Sequence, residues 1–353
     1  KFEITINDLI KFYKNPSKYF LNNVLRMEFA YLQEAVDDVE SFRLDNLESY
    51  DIRQQIFDAV YNSRGSEKEL YNYYKVLNLL PHGQPGLIEF DTIFSDVQTF
   101  SRRVAEYTTT AQLENPDIDY TFENIFVYGT LRPVFKSNLI VCRNSKEKPL
   151  DLIGAWIQHL FLNALKSDDY PKSTILLSST TSRLFKPVND PKQYLDIFLK
   201  FFKNGNIRPL RFFPWTSAKY VEQLSSGREK ALLDATKMWL EGTYNSSNAE
   251  SEDRYISLCF DGEARPLIPR PLNTRALNPP QGDFENEGQS SSVVSSSPPA
   301  GDLWGEVLGG EVSGAAISGG VYNTLNTEFE AIASQILLPL YDHMTDVSGG
   351  DND

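Results

Sequence analysis

The stretch from Thr121 to Ser179 constrains the fold of this chain most. Phe126–Phe135 is a strand-like run that meets a proline at Pro133. Lys136-Ser137-Asn138 makes a short turn, and Asn138–Cys142 reads as a second strand, so the pair is expected to form a hairpin. Asp151–Leu165 then repeats apolar residues at helical spacing, and Thr174–Ser179 reads as a buried strand. Helices are expected over Pro191–Asn204 and Ser217–Glu241. Strands and helices alternating in this way define an α/β (α+β) class, with a small mixed sheet flanked by helices.

The residues before this stretch read as helix. Leu9, Ile10, Phe12 and Tyr13 fall toward one side of a first helix, with Asn7 as its expected N-cap. Asn15-Pro16 stops that helix and opens a second, which carries Tyr19, Phe20, Val24 and Leu25. Ser49–Arg64, Glu67–Leu79 and Asp91–Tyr107 follow as helices, with Leu80–Gly86 as a turn-rich break. Beyond Arg265, Pro, Ser, Asn and Gly dominate, so little apolar area is available to offset ordering entropy. The expected organisation is a mainly helical part over 1–120, an α/β core over 121–265, an insertion over 266–320 and a closing helix within 321–347.

Charge and motif searches remove several function classes. The net charge of −14, from 34 Lys+Arg against 48 Asp+Glu, excludes a wholly basic nucleic-acid coat but not a local basic groove. No apolar run is long enough for a spanning helix, and no signal-peptide pattern is visible, so no membrane partner is expected. The chain opens on Lys1 rather than Met, as expected of a processed product or a piece cut from a longer protein. Cys142 and Cys259 cannot make a disulfide framework or a Cys-rich zinc site and read as buried thiols. A phosphate loop, a GxSxG elbow and an HExxH pair are all absent. Asp37-Asp38 and Asp168-Asp169 read as solvated acids, and Trp156 with His159 as core.

One pattern carries chemistry. Gly129-Thr130-Leu131-Arg132, a turn, then Cys142-Arg143-Asn144 resembles the hairpin of PD-(D/E)XK nucleases. That hairpin places an acid on its first strand and an acid, one residue, then lysine on its second. Two carboxylates hold Mg²⁺ through oxygen, and the lysine orients or activates water. Here the first acid falls on Arg132, the second on Cys142 and the lysine on Asn144. All three roles are vacant, and an arginine at the ion position would repel Mg²⁺ by several kcal/mol in a partly buried site. Either an emptied nuclease hairpin or an unrelated one fits these residues. Displaced groups could come from Glu123 with Lys136 or Lys146.

A wider resemblance joins it. Asn7–Phe20, Leu80-Pro81-His82-Gly83-Gln84-Pro85-Gly86, Leu150–Leu160, Pro209–Ser217, Tyr255–Phe260 and the last helix resemble, in order, the C-terminal domain of RecC, the gamma subunit of exodeoxyribonuclease V. The resemblance implies a PD-(D/E)XK nuclease-like core without catalytic residues, no cofactor or metal in this domain and a cytoplasmic location. It implies a place in the RecBCD helicase–nuclease, holding RecB-like and RecD-like subunits. There the subunit helps to part duplex DNA, guide the single strand and scan it for Chi during recombinational repair. The alternatives are an active nuclease with migrated residues and a scaffold that binds RecB without touching DNA. Candidate phosphate contacts are Arg102 and Arg103, with Lys200, Lys203, Arg208 and Arg211 in a segment that interleaves base and aromatic. The bland reading of that segment buries its aromatics and leaves its charges at the rim.

Overall fold

The computed structural model describes residues 2–27, 46–242, 249–260 and 324–347. The expected insertion and the Asp37-Asp38 pair lie outside the described residues. Contacts divide the chain into one unit of Lys1–Ile268 with Leu325–Asp353, and a second of Pro269–Thr324, which apart from Thr324 is likewise outside them.

The elements of the first unit begin with β1 (Phe2–Thr5), α1 (Ile6–Lys14) and α2 (Pro16–Tyr19), the last continued by a π-helical turn over Phe20–Val24. Next come α3 (Asn46–Tyr61), α4 (Glu67–Val76), α5 (Gln84–Tyr107), β2 (Asp117–Phe122), β3 (Ile125–Thr130) and β4 (Leu139–Arg143). They are followed by α6 (Pro149–Ala164), β5 (Thr174–Ser178), β6 (Ser182–Phe185), α7 (Pro191–Gly205) and α8 (Pro214–Gln223). The remainder is α9 (Arg228–Glu241), α10 (Arg254–Phe260), α11 (Thr324–His343) and β7 (Met344–Asp346). The class is mixed α/β, as expected. None of the described helices is long and apolar enough to cross a membrane.

Two small sheets stand where one hairpin was expected. β3 pairs parallel with β1 and antiparallel with β2, whereas β4 pairs parallel with β5, and β6 and β7 extend that second sheet antiparallel. The expected strand to Phe135 ends at Thr130, short of Pro133, which has no N–H for a ladder. What survives of the hairpin is a bridge between Val134 and Leu139, with Phe135 N–H donating to Asn138 O and Ile140 N–H to Pro133 O.

The pleat of β4 and β5 organises both cores. Leu139, Val141 and Leu176 pack into the cluster that holds α1, α6, α7 and α11, while Ile140, Cys142, Ile175 and Leu177 pack into the cluster of α3 and α5. Successive side chains of a strand point to opposite faces, so this buried pair needs apolar residues throughout. α6 crosses from β4 to β5 and buries Trp156, whose ring stacks on His159 with centroids 5.3 Å apart. That is the core reading of the pair.

Local chemistry explains where other expectations miss. The first helix is capped by Thr5 rather than Asn7. Thr5 Oγ1 accepts from Asp8 N–H, and Asp8 Oδ2 accepts from Thr5 N–H, both at 3.0 Å. The expected helix over Ser217–Glu241 is two helices, parted by a 3₁₀ turn at Leu224–Ser226 and by Gly227, whose φ of +103° a side chain rarely adopts. α5 starts at Gln84, inside the expected break, since Pro85 suits a first helical turn. Gly86 belongs to that turn by necessity: a Cβ there would lie 1.9 Å from Pro81 O. At the end of α7 a Cβ on Gly205 would meet the buried Phe12 ring at 2.3 Å.

Two predictions follow from this packing. Gly86→Ala is expected to destabilise the chain by about 1–3 kcal/mol, the range for forcing an extra methyl into filled space, read from urea unfolding. The second concerns His159, which is fully buried between Thr174 Oγ1 at 2.9 Å and Lys186 O at 3.0 Å. Burial lowers it from an ordinary 6.5 to about 4. The unfolded chain therefore takes up this proton before the native one does. Stability from neutral His159 is complete above about pH 6.5 and is lost as pH falls toward 4, by roughly 3 kcal/mol. His159→Gln is expected to flatten that slope in unfolding curves recorded across the window.

Candidate functional site

The three positions of the nuclease layout part company in the structure. Arg132 is exposed in the connection after β3. Cys142, in β4, packs against the cluster of α3 and α5, and Asn144, one residue past the strand, lines a cleft bordered by the same helices. The Cys142 thiol packs against that apolar cluster, and burial pushes it up to about 12, so it stays protonated at neutral pH. Asn144 is 3% exposed, and its Nδ2 has no hydrogen-bond partner. Among the described residues no three acidic, histidine or cysteine side chains form a metal-holding group.

The displaced groups do not assemble either. Glu123 sits in the β2–β3 turn, where its Oε2 takes an ion pair from Lys203 Nζ at 2.6 Å. Lys136 and Lys146 are exposed and follow the far end of β3. Neither lysine forms an ion pair with Glu123 among the described residues; Lys203 holds it instead.

Asn144 opens onto a cleft of about 890 Å³ between α3, α5, the end of β4 and the β5–β6 turn. Five of its lining residues are basic, namely Arg53, Arg103, Arg143, Lys146 and Lys148, against one acid, Asp96. Each arginine is held. Arg53 Nη1 pairs with Asp96 Oδ2 at 2.7 Å. Arg143 reaches Asp151 Oδ1 at 3.2 Å and lies over the Tyr50 ring at 4.9 Å. Arg103 donates to Ser179 O at 2.8 Å, Thr181 O at 3.1 Å and Ser182 Oγ at 3.0 Å. Carbonyls and a hydroxyl position Arg103 without cancelling its charge. Lys146 and Lys148 are exposed and form no ion pair among the described residues.

Of the six expected phosphate contacts, the cleft gathers Arg103 alone. Arg102 is exposed and donates only weakly to Thr99 Oγ1, at 3.4 Å. Lys200 is half-buried on α7. Lys203 holds Glu123, and Arg208 pairs with Glu328 Oε1 at 2.8 Å. Arg211 is buried, 3.5 Å from Glu328 Oε2 and over the Phe260 ring at 5.0 Å. Phe201, Phe202, Phe212 and Phe213 are all buried, so this segment offers no aromatic face to a base. The basic run Arg143-Asn144-Ser145-Lys146-Glu147-Lys148 was the sequence signal for the cleft, and Arg53 had none.

Fold and site define a mixed α/β domain with a cationic cleft and, among the described residues, no metal-holding cluster. The RecC C-terminal domain family matches residues 2–225, and the chain belongs to that family. Tyr255–Phe260 and the last helix lie past the end of that match. Among curated proteins the chain is similar to RecBCD enzyme subunit RecC of Buchnera aphidicola subsp. Acyrthosiphon pisum, 24% identical over 265 residues, covering 72% of this chain and 24% of the relative. The subunit of the same name from Escherichia coli K12 is 23% identical over 233 residues, covering 65% of this chain and 20% of the relative. The chain thus spans a quarter or less of the curated relatives it matches.

Burial of Cys142 predicts its reactivity. In the native chain, alkylation by iodoacetamide at pH 8 is expected to be at least tenfold slower at Cys142 than in urea, read by peptide mass spectrometry, because about 1 in 10⁴ of a thiol at about 12 is ionised there.

Proposed function

We propose that this chain is a non-catalytic, PD-(D/E)XK nuclease-like domain of a RecC-like subunit in a RecBCD-type helicase–nuclease. In that assembly it contributes to holding RecB-like and RecD-like subunits and to handling DNA ends: splitting the duplex, bordering the single-strand channel and aiding the search for Chi. The work belongs to repair of double-strand breaks by recombination, in the cytoplasm.

One observation carries this reading. At the positions of the nuclease layout stand Arg132, Cys142 and Asn144, which supply neither a carboxylate pair nor a lysine. Cys142 lies in β4 against the α3–α5 cluster, and Asn144 lies one residue past that strand. The chemistry of the nuclease layout is therefore missing at all three positions. Two-metal or one-metal hydrolysis needs oxygen ligands beside the scissile phosphate, and an amide, a protonated thiol and a guanidinium are poor substitutes. The ion pair of Glu123 with Lys203 rather than with Lys136 or Lys146 speaks against migrated catalytic groups.

The test has two arms. The purified chain is expected to leave linear DNA intact with Mg²⁺ or Mn²⁺, and to co-purify with a RecB-type subunit when the two are produced together. Metal-dependent digestion that disappears in Glu123→Ala would instead establish an active nuclease. Co-purification without any shift of forked DNA across a salt series would leave a scaffold that touches RecB alone.

A further inference from the structure

We propose that the outward face of the sheet formed by β1, β3 and β2 docks an extended, lysine- or arginine-bearing segment of a partner protein. Nothing in this depends on the nuclease layout.

One side of the sheet is committed to the core and the other is not. Ile4, Ile118, Ile125 and Val127 are buried on the inner side. Strand alternation then turns Glu3, Asp117, Asp119, Phe126 and Tyr128 to the outer side. The register sets Glu3 of β1 opposite Phe126 and Asp119 of β2 opposite Tyr128, so each central ring has an acid across from it. The two rings stack along β3, with centroids 6.1 Å and planes 21° apart. Tyr128 is 43% exposed, and Glu3, Asp117 and Asp119 are exposed as well.

Charge decides which partner fits. The three strands carry those three acids and neither lysine nor arginine. Glu123, in the β2–β3 turn, is already taken by Lys203. In a chain with 48 acids and 34 bases, exposed acids alone are ordinary; acids set beside open aromatic rings are not. A ring face attracts a cation, and a carboxylate beside the ring adds to that attraction. An apolar partner would leave the carboxylates unanswered, and an acidic one would be repelled.

Spacing decides its conformation. Asp117 and Asp119 are two residues apart on one strand, so their side chains repeat at about 6.6 Å. Alternate side chains of an extended segment repeat at the same interval. β2 also ends the sheet, with β3 as its one strand partner among the described residues, so an extended chain can lie along it.

The experiment measures fluorescence anisotropy of a fluorescein-labelled octapeptide of alternating Lys and Thr with the full chain at low salt, beside an octapeptide of alternating Glu and Thr. Glu3→Lys with Asp119→Lys is compared with Asp91→Lys with Glu106→Lys, an equal charge change at exposed positions of α5. The sheet pair is expected to weaken binding of the lysine peptide about tenfold or more, and the α5 pair less than about threefold. Tyr128→Ala is expected to weaken it about threefold, the size of an exposed cation–π contact, and Tyr128→Phe, which keeps the ring face, to leave it within about twofold. The glutamate peptide is expected not to bind. Thermal melts confirm that the variants fold, as their exposed positions require.

Equal losses in the sheet and α5 pairs would overturn the proposal, as would absence of binding by the unaltered chain at low salt. Unchanged binding by Tyr128→Ala would do the same, since charge alone would then hold the peptide. Self-association of the unaltered chain that Tyr128→Ala abolishes, read by sedimentation, would also overturn it and assign the face to a second copy.

Discussion

The parallel pair β4–β5 is the constraint from which the rest of the unit is built. Both of its faces are covered, one by α6 and the other by α5, so no position along it can carry an uncompensated charge. The same alternation that sends Leu139 and Leu176 to one core sends Ile140, Ile175 and Leu177 to the other. Where the strand runs out at Arg143, the requirement lapses and polar residues begin. The cleft lies at that edge because the pleat stops demanding apolar residues there.

This also decides the surroundings of the three positions that the nuclease layout singles out. Cys142 still lies within the ladder, opposite Leu177, and its thiol is absorbed by the α3–α5 core. Asn144 lies one residue past the ladder, where it is buried beside the cleft. Arg132, on the other side of a redirected connection, is simply exposed. Three positions of one motif thus met three different environments, set by where each sits relative to the ends of β3 and β4.

Helices and buried strands were legible wherever one periodicity ruled a long segment. α6 and α7 fall within a residue or two of expectation, and β5 ends one residue early. Pairing was not legible. Phe126–Phe135 looks continuous by hydrophobicity, yet β1 supplies a parallel partner for β3 from the far end of the chain. Nothing local announces that Phe2–Thr5 will be a strand. The site was half legible for a related reason. The basic run after β4 is visible, but Arg53 and Arg103 join it only because α3 and α5 pack on that face. The residues that looked basic in sequence, Arg208 and Arg211, are engaged by Glu328, a partner more than a hundred positions away.

That partner sits on α11, which enters the core after a long interval of chain. Phe329, Ile332, Ile336, Leu337 and Leu340 are all buried, and Glu330 receives Arg228 at 2.6 Å and Tyr220 at 2.9 Å. The cost of closing a loop grows only with the logarithm of its length, about 0.6 kcal/mol for each doubling. Losing a single large apolar side chain from the helix would cost several times that. By this arithmetic stability depends on the destination and scarcely on the length of the route. Related chains are free to differ widely in how many residues separate α10 from α11, so long as the returning helix keeps its apolar stripe and its two glutamates.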